Sequence, residues 1–492
     1  MPFQTKTTLS EDEIRLSLAR VLKDGITTQV MLTLTSGVIL ISFALDLGSD
    51  NIIVGLLVAI PFLSQLIQLP AIYLIEKIRI RRKVTVVAAI LSRFFLLPLA
   101  IIPFFIHSGS IFLLLLGIIA LHFSVGAVGS CSWDSWMRDL IPERQLGRFF
   151  SRRLAYAMFA GIIAAILAGL FIDYWKANFI ELEIYSYSFL FLTGFIVGMI
   201  GVGIVSMIFE PEMESINQVN GFNFREILEQ PFGDANFRKL LIFLGTWNFG
   251  ISLAAPFFTV YMLTLLDMDL IAVIILQIIS QLVNILFFNL WGNLTDKYSN
   301  KSVLLVSCPL FLLSILLWIF TTIPGPWFLT YPLLLVIHLF IGISMAGINL
   351  ASGNIGLKLA PKGKATSYLA MRNLIIALAA GVAPLLGGIV AELFSESHGY
   401  FSSVLQNFDF LFILAFIFGL YSLYRLSKVQ EIGQVEERVI IQELFIGMKK
   451  YVSILPITVG IRQMTHIPAG LLVSLKQLRK RKKQSKNQEI EE

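Results

Sequence analysis

Apolar residues in this chain come in blocks of about 20, each long enough to cross a bilayer core as a helix rising about 1.5 Å per residue. The blocks fall near 26–46, 51–75, 84–106, 110–132, 154–172 and 188–209, then near 238–266, 270–294, 302–323, 327–352, 366–394 and 407–426. Backbone inside lipid must satisfy its own hydrogen bonds, so blocks of this kind predict an all-α membrane protein of about twelve transmembrane helices. Composition excludes the alternative. The 492 residues are 56% hydrophobic and only 14% charged, against the roughly 45–50% apolar content of a soluble domain.

The net charge of +6 invites a nucleic-acid reading. No aromatic-interleaved basic patch or nucleic-acid motif accompanies it, and the positive charge lies between the blocks, so membrane topology accounts for it. One side carries Lys77 to Lys83, Arg138 to Arg153, Arg225, Arg238, Lys239, Lys297, Lys301 and Lys358 to Arg372, and the other offers essentially Lys176 alone. The excess of Lys and Arg predicts an integral protein of the cell (inner) membrane with both termini cytoplasmic.

Residues 1–25 are polar and lack a secretory cleavage pattern. Ser10 followed by Glu13 has capping-box spacing, and Ile14, Leu18, Val21 and Leu22 make one apolar face, which predicts a short amphipathic helix on the inner membrane surface. A six-helix bundle is expected over 26–209, a solvated linker over 210–237, a second six-helix bundle over 238–428 and an interfacial tail over 429–492. The tail ends in the basic run Arg479 to Lys483, suited to anionic lipid headgroups or to water. Cys131 and Cys308 sit in or beside apolar blocks and read as packing residues. No metal or cofactor is expected, and the chain is expected to act as a monomer.

The loop after the eighth block reads Gly292-Asn293-Leu294-Thr295-Asp296-Lys297-Tyr298-Ser299-Asn300-Lys301. About 220 residues earlier Leu74, Glu76, Lys77 and Arg81 repeat Leu294, Asp296, Lys297 and Lys301, with Ile72 and Arg79 at the glycine positions. Leu140, Pro142 and Arg153 repeat as Leu359, Pro361 and Arg372 at a shift one residue smaller, as does Gly169 as Gly388. Two loops sharing nearly one shift indicate parallel repeats of six spans. The Gly292 to Lys301 loop resembles the signature loop of the major facilitator superfamily, with Ser299 in place of its second glycine.

That resemblance implies two six-helix bundles related by a pseudo-two-fold axis around a central cavity, and transport of a small-molecule solute by alternating access. It also implies that Glu76 approaches Arg372, and Asp296 approaches Arg153, across the two halves. A carboxylate is favoured beside an opposite charge and a helix N-terminus, so these contacts are expected to latch the cytoplasmic side; ordinary surface ion pairs are the alternative.

In the superfamily the first, fourth, seventh and tenth spans line the cavity. Here they carry Gln29, Thr33 and Ser36; His122 and Trp133; Trp247, Asn248 and Ser252; and His338 and Asn349. Such polar strips suit an aqueous site, though the same residue types also bond between helices. Gln277, Gln281 and Asn284 form a further stripe on the eighth span. No Asp or Glu lies midway in the four cavity spans, which disfavours a carboxylate relay and leaves facilitated diffusion or histidine-mediated proton coupling open. A neutral or zwitterionic solute is the expected cargo. Arg93, about 15 Å into the third span, is expected to find an interhelical partner or to snorkel rather than bind an anion. Glycines 161, 169, 381, 387 and 388 would allow close approach of the fifth and eleventh spans to their neighbours.

A non-transporting assembly factor, lipid-handling protein or sensor is the competing reading, favoured by the degenerate first loop and the long tail. An enzyme is not expected, because no His-Glu-x-x-His, Gly-x-Ser-x-Gly or paired intramembrane carboxylates occur.

Overall fold

The computed structural model describes residues 5–105, 111–142, 146–213, 224–321, 329–361, 365–395 and 408–454. Among them, twelve helices are long and apolar enough to cross a bilayer, and no strand beyond the isolated Lys6–Pro211 bridge is present. The basic run at 479–483 and residues 214–223 of the linker lie outside the described residues.

The first span is α1 (Glu11–Thr35) continued by α2 (Gly37–Asp46), the second α3 (Asn51–Ser64) continued by α4 (Gln68–Ile78), and the third α5 (Arg81–Phe94) continued by α6 (Leu96–Ile101). Then follow α7 (Ile111–Leu140), α8 (Leu146–Asn178) and α9 (Tyr185–Ser206). After the short linker helix α10 (Phe224–Gly233) come α11 (Ala235–Thr264), α12 (Leu270–Lys297), α13 (Asn300–Trp318), α14 (Thr330–Leu359), α15 (Ala365–Ser395) and α16 (Asp409–Ser427), with α17 (Glu437–Ile454) in the tail. Large apolar side chains such as Leu113, Leu167 and Ile180 point outward, as they must where lipid is the solvent.

Two sequence expectations change here. Ser10 does form the predicted capping box with Glu13, but the helix it starts is no separate surface element. It runs unbroken from Glu11 to Thr35, because nothing after Gly25 interrupts helical bonding until Gly37, whose φ of +59° breaks the first span at mid-depth. The linker likewise does not begin at Glu210 as a solvated segment. That side chain is buried and accepts the N–H groups of Arg81 (2.5 Å) and Arg82 (3.1 Å), so it caps the third span.

Glu431, just past the twelfth span, does the same for the ninth, accepting from Asn300 N (3.3 Å) and Lys301 N (2.7 Å). The correspondence extends to the packing. In the first half α1 packs on α8 and α9, α5 on α7 and α9, and α3 on α7; in the second, α11 packs on α15 and α16, α13 on α14 and α16, and α12 on α14. Matching spans six apart therefore maps one set of neighbours onto the other. The end of the bundle where Glu11, Glu210, Ser427 and α17 gather is called the terminal end below, and the opposite end the distal end.

Candidate functional site

Between the halves lies a cavity of about 520 Å³, walled by the first span, α8 and α12. Gln29, Thr33 and Ser36 share one face of the first span and line it, joined from the other half by Gln277 and Gln281. The hydroxyls of Thr33 and Ser36 donate to the carbonyls of Gln29 (2.9 Å) and Leu32 (2.6 Å) one turn back, which satisfies their protons and leaves their lone pairs toward the cavity. Gln277 Nε2 donates to Thr259 Oγ1 at 3.3 Å. The side-chain carboxamides of Gln29 and Gln281 have no hydrogen-bond partner among the described residues. The wall thus offers free carboxamides and carries no fixed charge. Gly161 faces it on α8, where a Cβ would stand 3.0 Å from Gln29 Cγ, so a larger residue would press on the polar strip.

A second chamber of about 360 Å³ lies inside the first half, sharing Leu32 with the first. His122 and Trp133 line this chamber and not the central cavity. His122 is buried, with Nδ1 2.8 Å from the Ser92 carbonyl oxygen and 3.2 Å from its hydroxyl. Arg153 lies over the Trp133 ring at 4.7 Å and meets Asp24 at 3.3 Å. Asp24 is the residue sequence reasoning missed: placed on a surface helix, it is in fact 5% exposed within α1. Arg93 also lines the chamber and interacts at longer range with Asp24 of α1, in line with the expected interhelical partner.

The remaining sequence-predicted residues go elsewhere. Trp247 is buried in the second half's core, 6.0 Å from Phe311, and His338 is buried with Nδ1 on the Leu334 carbonyl at 2.8 Å and its ring beside Trp318. Asn248 donates to the Leu244 carbonyl (2.7 Å), Ser252 is half-buried, and Asn349 is exposed. None of the five lines either cavity.

Of the two expected cross-half latches, the one between Asp296 and Arg153 is not made among the described residues, and the Glu76 side of the other falls outside them. Arg153 pairs with Asp24 of its own half, while Asp296 is exposed and takes part in no ion pair or hydrogen bond among the described residues. Lys297 pairs with Glu443 of α17 at 2.6 Å, and Gly292 is half-buried in α12. Arg372 donates to the Ser352 carbonyl (3.1 Å) and lies against Gly356, also within its half. The Glu76 side chain lies outside what is described.

The halves instead meet at the distal end. Asp173 near the end of α8 accepts the Ile271 N–H of α12 at 3.1 Å, and Glu392 near the end of α15 accepts the Asn51 N–H of α3 at 3.1 Å and its carboxamide at 2.9 Å. Asp173 and Glu392 stand at the same shift as Gly169 and Gly388. Each carboxylate caps the first turn of a helix in the other half, where the macrodipole favours negative charge. The glycines let the backbones close in: a Cβ at Gly169 would stand 3.0 Å from Ile271 Cδ1, one at Gly388 2.4 Å from the Asn51 oxygen, and one at Gly381 2.5 Å from Leu63 Cδ2. Gly387 serves its own half, against Leu253.

No curated protein matches this chain. Among solved structures it is similar to a point mutant of the nucleoside transporter NupG, with 14% identity, a TM-score of 0.62 and coverage of 85% of this chain and 100% of that one. A bacterial homologue of the human lysosomal transporter Spinster, inward-facing and unoccupied, matches with 12% identity, a TM-score of 0.61 and coverage of 88% and 99%. The inward open xylose transporter XylE from E. coli matches with 13% identity, a TM-score of 0.59 and coverage of 85% and 96%. These likenesses establish the fold. The profile of the Major Facilitator Superfamily matches residues 25–384, spanning the first half, the linker and the second half through most of α15, and the chain belongs to that superfamily.

Proposed function

We propose that this protein is a secondary transporter that carries a small organic solute across the cell membrane by alternating access. The observation that carries the reading is the placement of contacts. A cavity with a strip of polar side chains lies between the halves, and the capping contacts that join them are gathered at the distal end, while Arg153, Lys297 and Arg372 direct their charges within their own half. A cavity sealed on one side is one of the two states that rocking of two bundles alternates between. The basic residues that crowd the terminal end favour a cytoplasmic location for both termini, so this state faces inward. The same basic residues favour contact with anionic lipid headgroups, and the single chain supplies both bundles, so a monomer suffices.

The test is uptake by proteoliposomes containing the purified full-length chain, with and without a pH gradient, across a panel of labelled solutes. Gradient-independent uptake of one solute, reduced by Gln29→Ala and Gln281→Ala, is the expected result. Solutes that bind and stabilise the protein but never cross would establish the sensor reading instead.

A further inference from the structure

The chamber inside the first half holds more positive than negative charge in its buried part. Arg93 and Arg153 both line it, and Asp24 is the one buried carboxylate among its walls; Asp134 also lines it, more exposed and on the side of Arg153, whose charge it feels. The two guanidiniums are not equally served. Arg153 has Asp24 at 3.3 Å, the Val21 carbonyl at 3.3 Å and the Trp133 ring beneath it. Arg93 feels the Asp24 charge only at longer range, without a salt bridge; it has one hydrogen bond, from Nη1 to the carbonyl of Ala89 in its own helix at 3.3 Å, and its Nε is buried without a partner. The indole Nε1 of Trp133 is likewise buried and unpartnered.

An under-served cation inside a membrane protein is expensive unless something is meant to pair with it. Guanidinium prefers a planar oxyanion, which it can grip through two N–H groups. The rest of the wall is mixed: Thr28, Gln65, Thr85 and Ser92 offer polar groups, while Met31, Leu32, Phe123 and Val202 form an apolar part that an inorganic ion would leave uncovered. At about 360 Å³ the space suits a small organic molecule. We propose that this chamber binds the carboxylate of a small organic acid, with Arg93 gripping the carboxylate and the Trp133 N–H as an additional donor. It rests on the transport reading in one respect, that the acid is then the solute carried, reaching the central cavity past Leu32. The binding chemistry stands without that step.

The experiment uses the full-length protein in detergent and three acids with their amides: benzoate and benzamide, nicotinate and nicotinamide, lactate and lactamide, with inorganic phosphate as a fourth arm. Thermal stabilisation and calorimetry read binding. At least one acid is expected to bind, with its amide weaker by about tenfold or more, the scale of one charge-assisted hydrogen bond. Arg93→Gln should remove that preference and Arg93→Lys should restore part of it. Trp133→Phe keeps the ring under Arg153 and removes only the N–H, so it should weaken the acid severalfold and reads the site even where Arg93→Gln fails to fold.

Acids and amides binding alike, phosphate binding as well as the acids, unchanged affinity in both variants, or no acid binding at all would overturn the proposal. An acid that binds with this pattern while nothing crosses in proteoliposomes would sink the transport reading and leave the site standing. Uptake of another solute without acid binding would do the reverse.

Discussion

Gly55 tests the rocking mechanism most directly, because a single methyl group there acts on the distal closure and on little else. A Cβ at Gly55 of α3 would stand 2.3 Å from the Pro384 carbonyl oxygen of α15 and 3.1 Å from its carbon, whereas ordinary contact begins at 3.4 Å. Both sides are backbone, so no side chain can turn away. The two helices must part by about 1 Å, and overpacking of this kind costs about 1–3 kcal/mol. That cost falls on the state with the distal end closed, so Gly55→Ala should shift the ratio of inward-facing to outward-facing protein by about 5- to 140-fold. After replacement of Cys131 and Cys308, spin labels at Asp50 and Leu393 report the distal end, and labels at Arg152 and Asp296 report the terminal end. Electron–electron resonance should show the first distance lengthening and the second shortening. Gly117→Ala, where nothing lies within 4 Å of the added atom, is the control. A Gly55→Ala protein that loses thermal stability with both distances unmoved, or behaves like the control throughout, would refute the argument: the contact would then be packing common to every state.

Asp24→Asn leaves Arg153 without its carboxylate in a mostly buried place, and should lower stability by about 3 kcal/mol, read as a drop in Tm that Asp24→Glu largely avoids. Gln281→Ala removes an unpartnered carboxamide from the central cavity and should raise KM for the transported solute with little effect on Tm, measured by uptake and thermal unfolding side by side. In the tail, the hydrogen bond from Lys297, helped by Tyr298, holds the Glu443 carboxyl below its usual range. A carboxyl depressed by folding stabilises the docked state above its ordinary pKa and loses that contribution as pH falls through the depressed one. A nitroxide at Phe445 should therefore become more mobile only in acid below the ordinary carboxylate range, and Glu443→Gln should abolish the dependence.

The spans were legible because each is a long apolar block, and the repeat because its loop residues recur at one shift. What the sequence hid was the partner of each polar group. Asp24 sits beside Lys23 near the start of a chain that reads as amphipathic, and only the folding of α8 against α1 brings Arg153, 129 residues on, to bury it. Asn248 and His338 occupy spans expected to line the cavity and look available, yet both bond to a carbonyl four residues earlier in their own helix, a local option that composition does not reveal. Gln277 and Gln281 lie on a span outside the expected cavity set, but α12 presents them to the same space as Gln29.

The distal contacts show how much further the repeat could have been read. Asp173 and Glu392 lie four residues past Gly169 and Gly388, which the shift had already paired, and Ile271 and Asn51, which supply the N–H groups, stand at the shift of the signature loops. An acid at the end of one helix and a first-turn amide at the start of another, both duplicated, describe the same contact made twice across the interface. The two are not redundant. Each joins a different pair of spans, and if the halves turn as rigid bodies neither can open while the other holds, so their energies add in the closed state and vanish together in the open one. Removing one carboxylate should then favour the outward-facing state by the worth of one helix cap, about 1 kcal/mol, and removing both should roughly square that change in population.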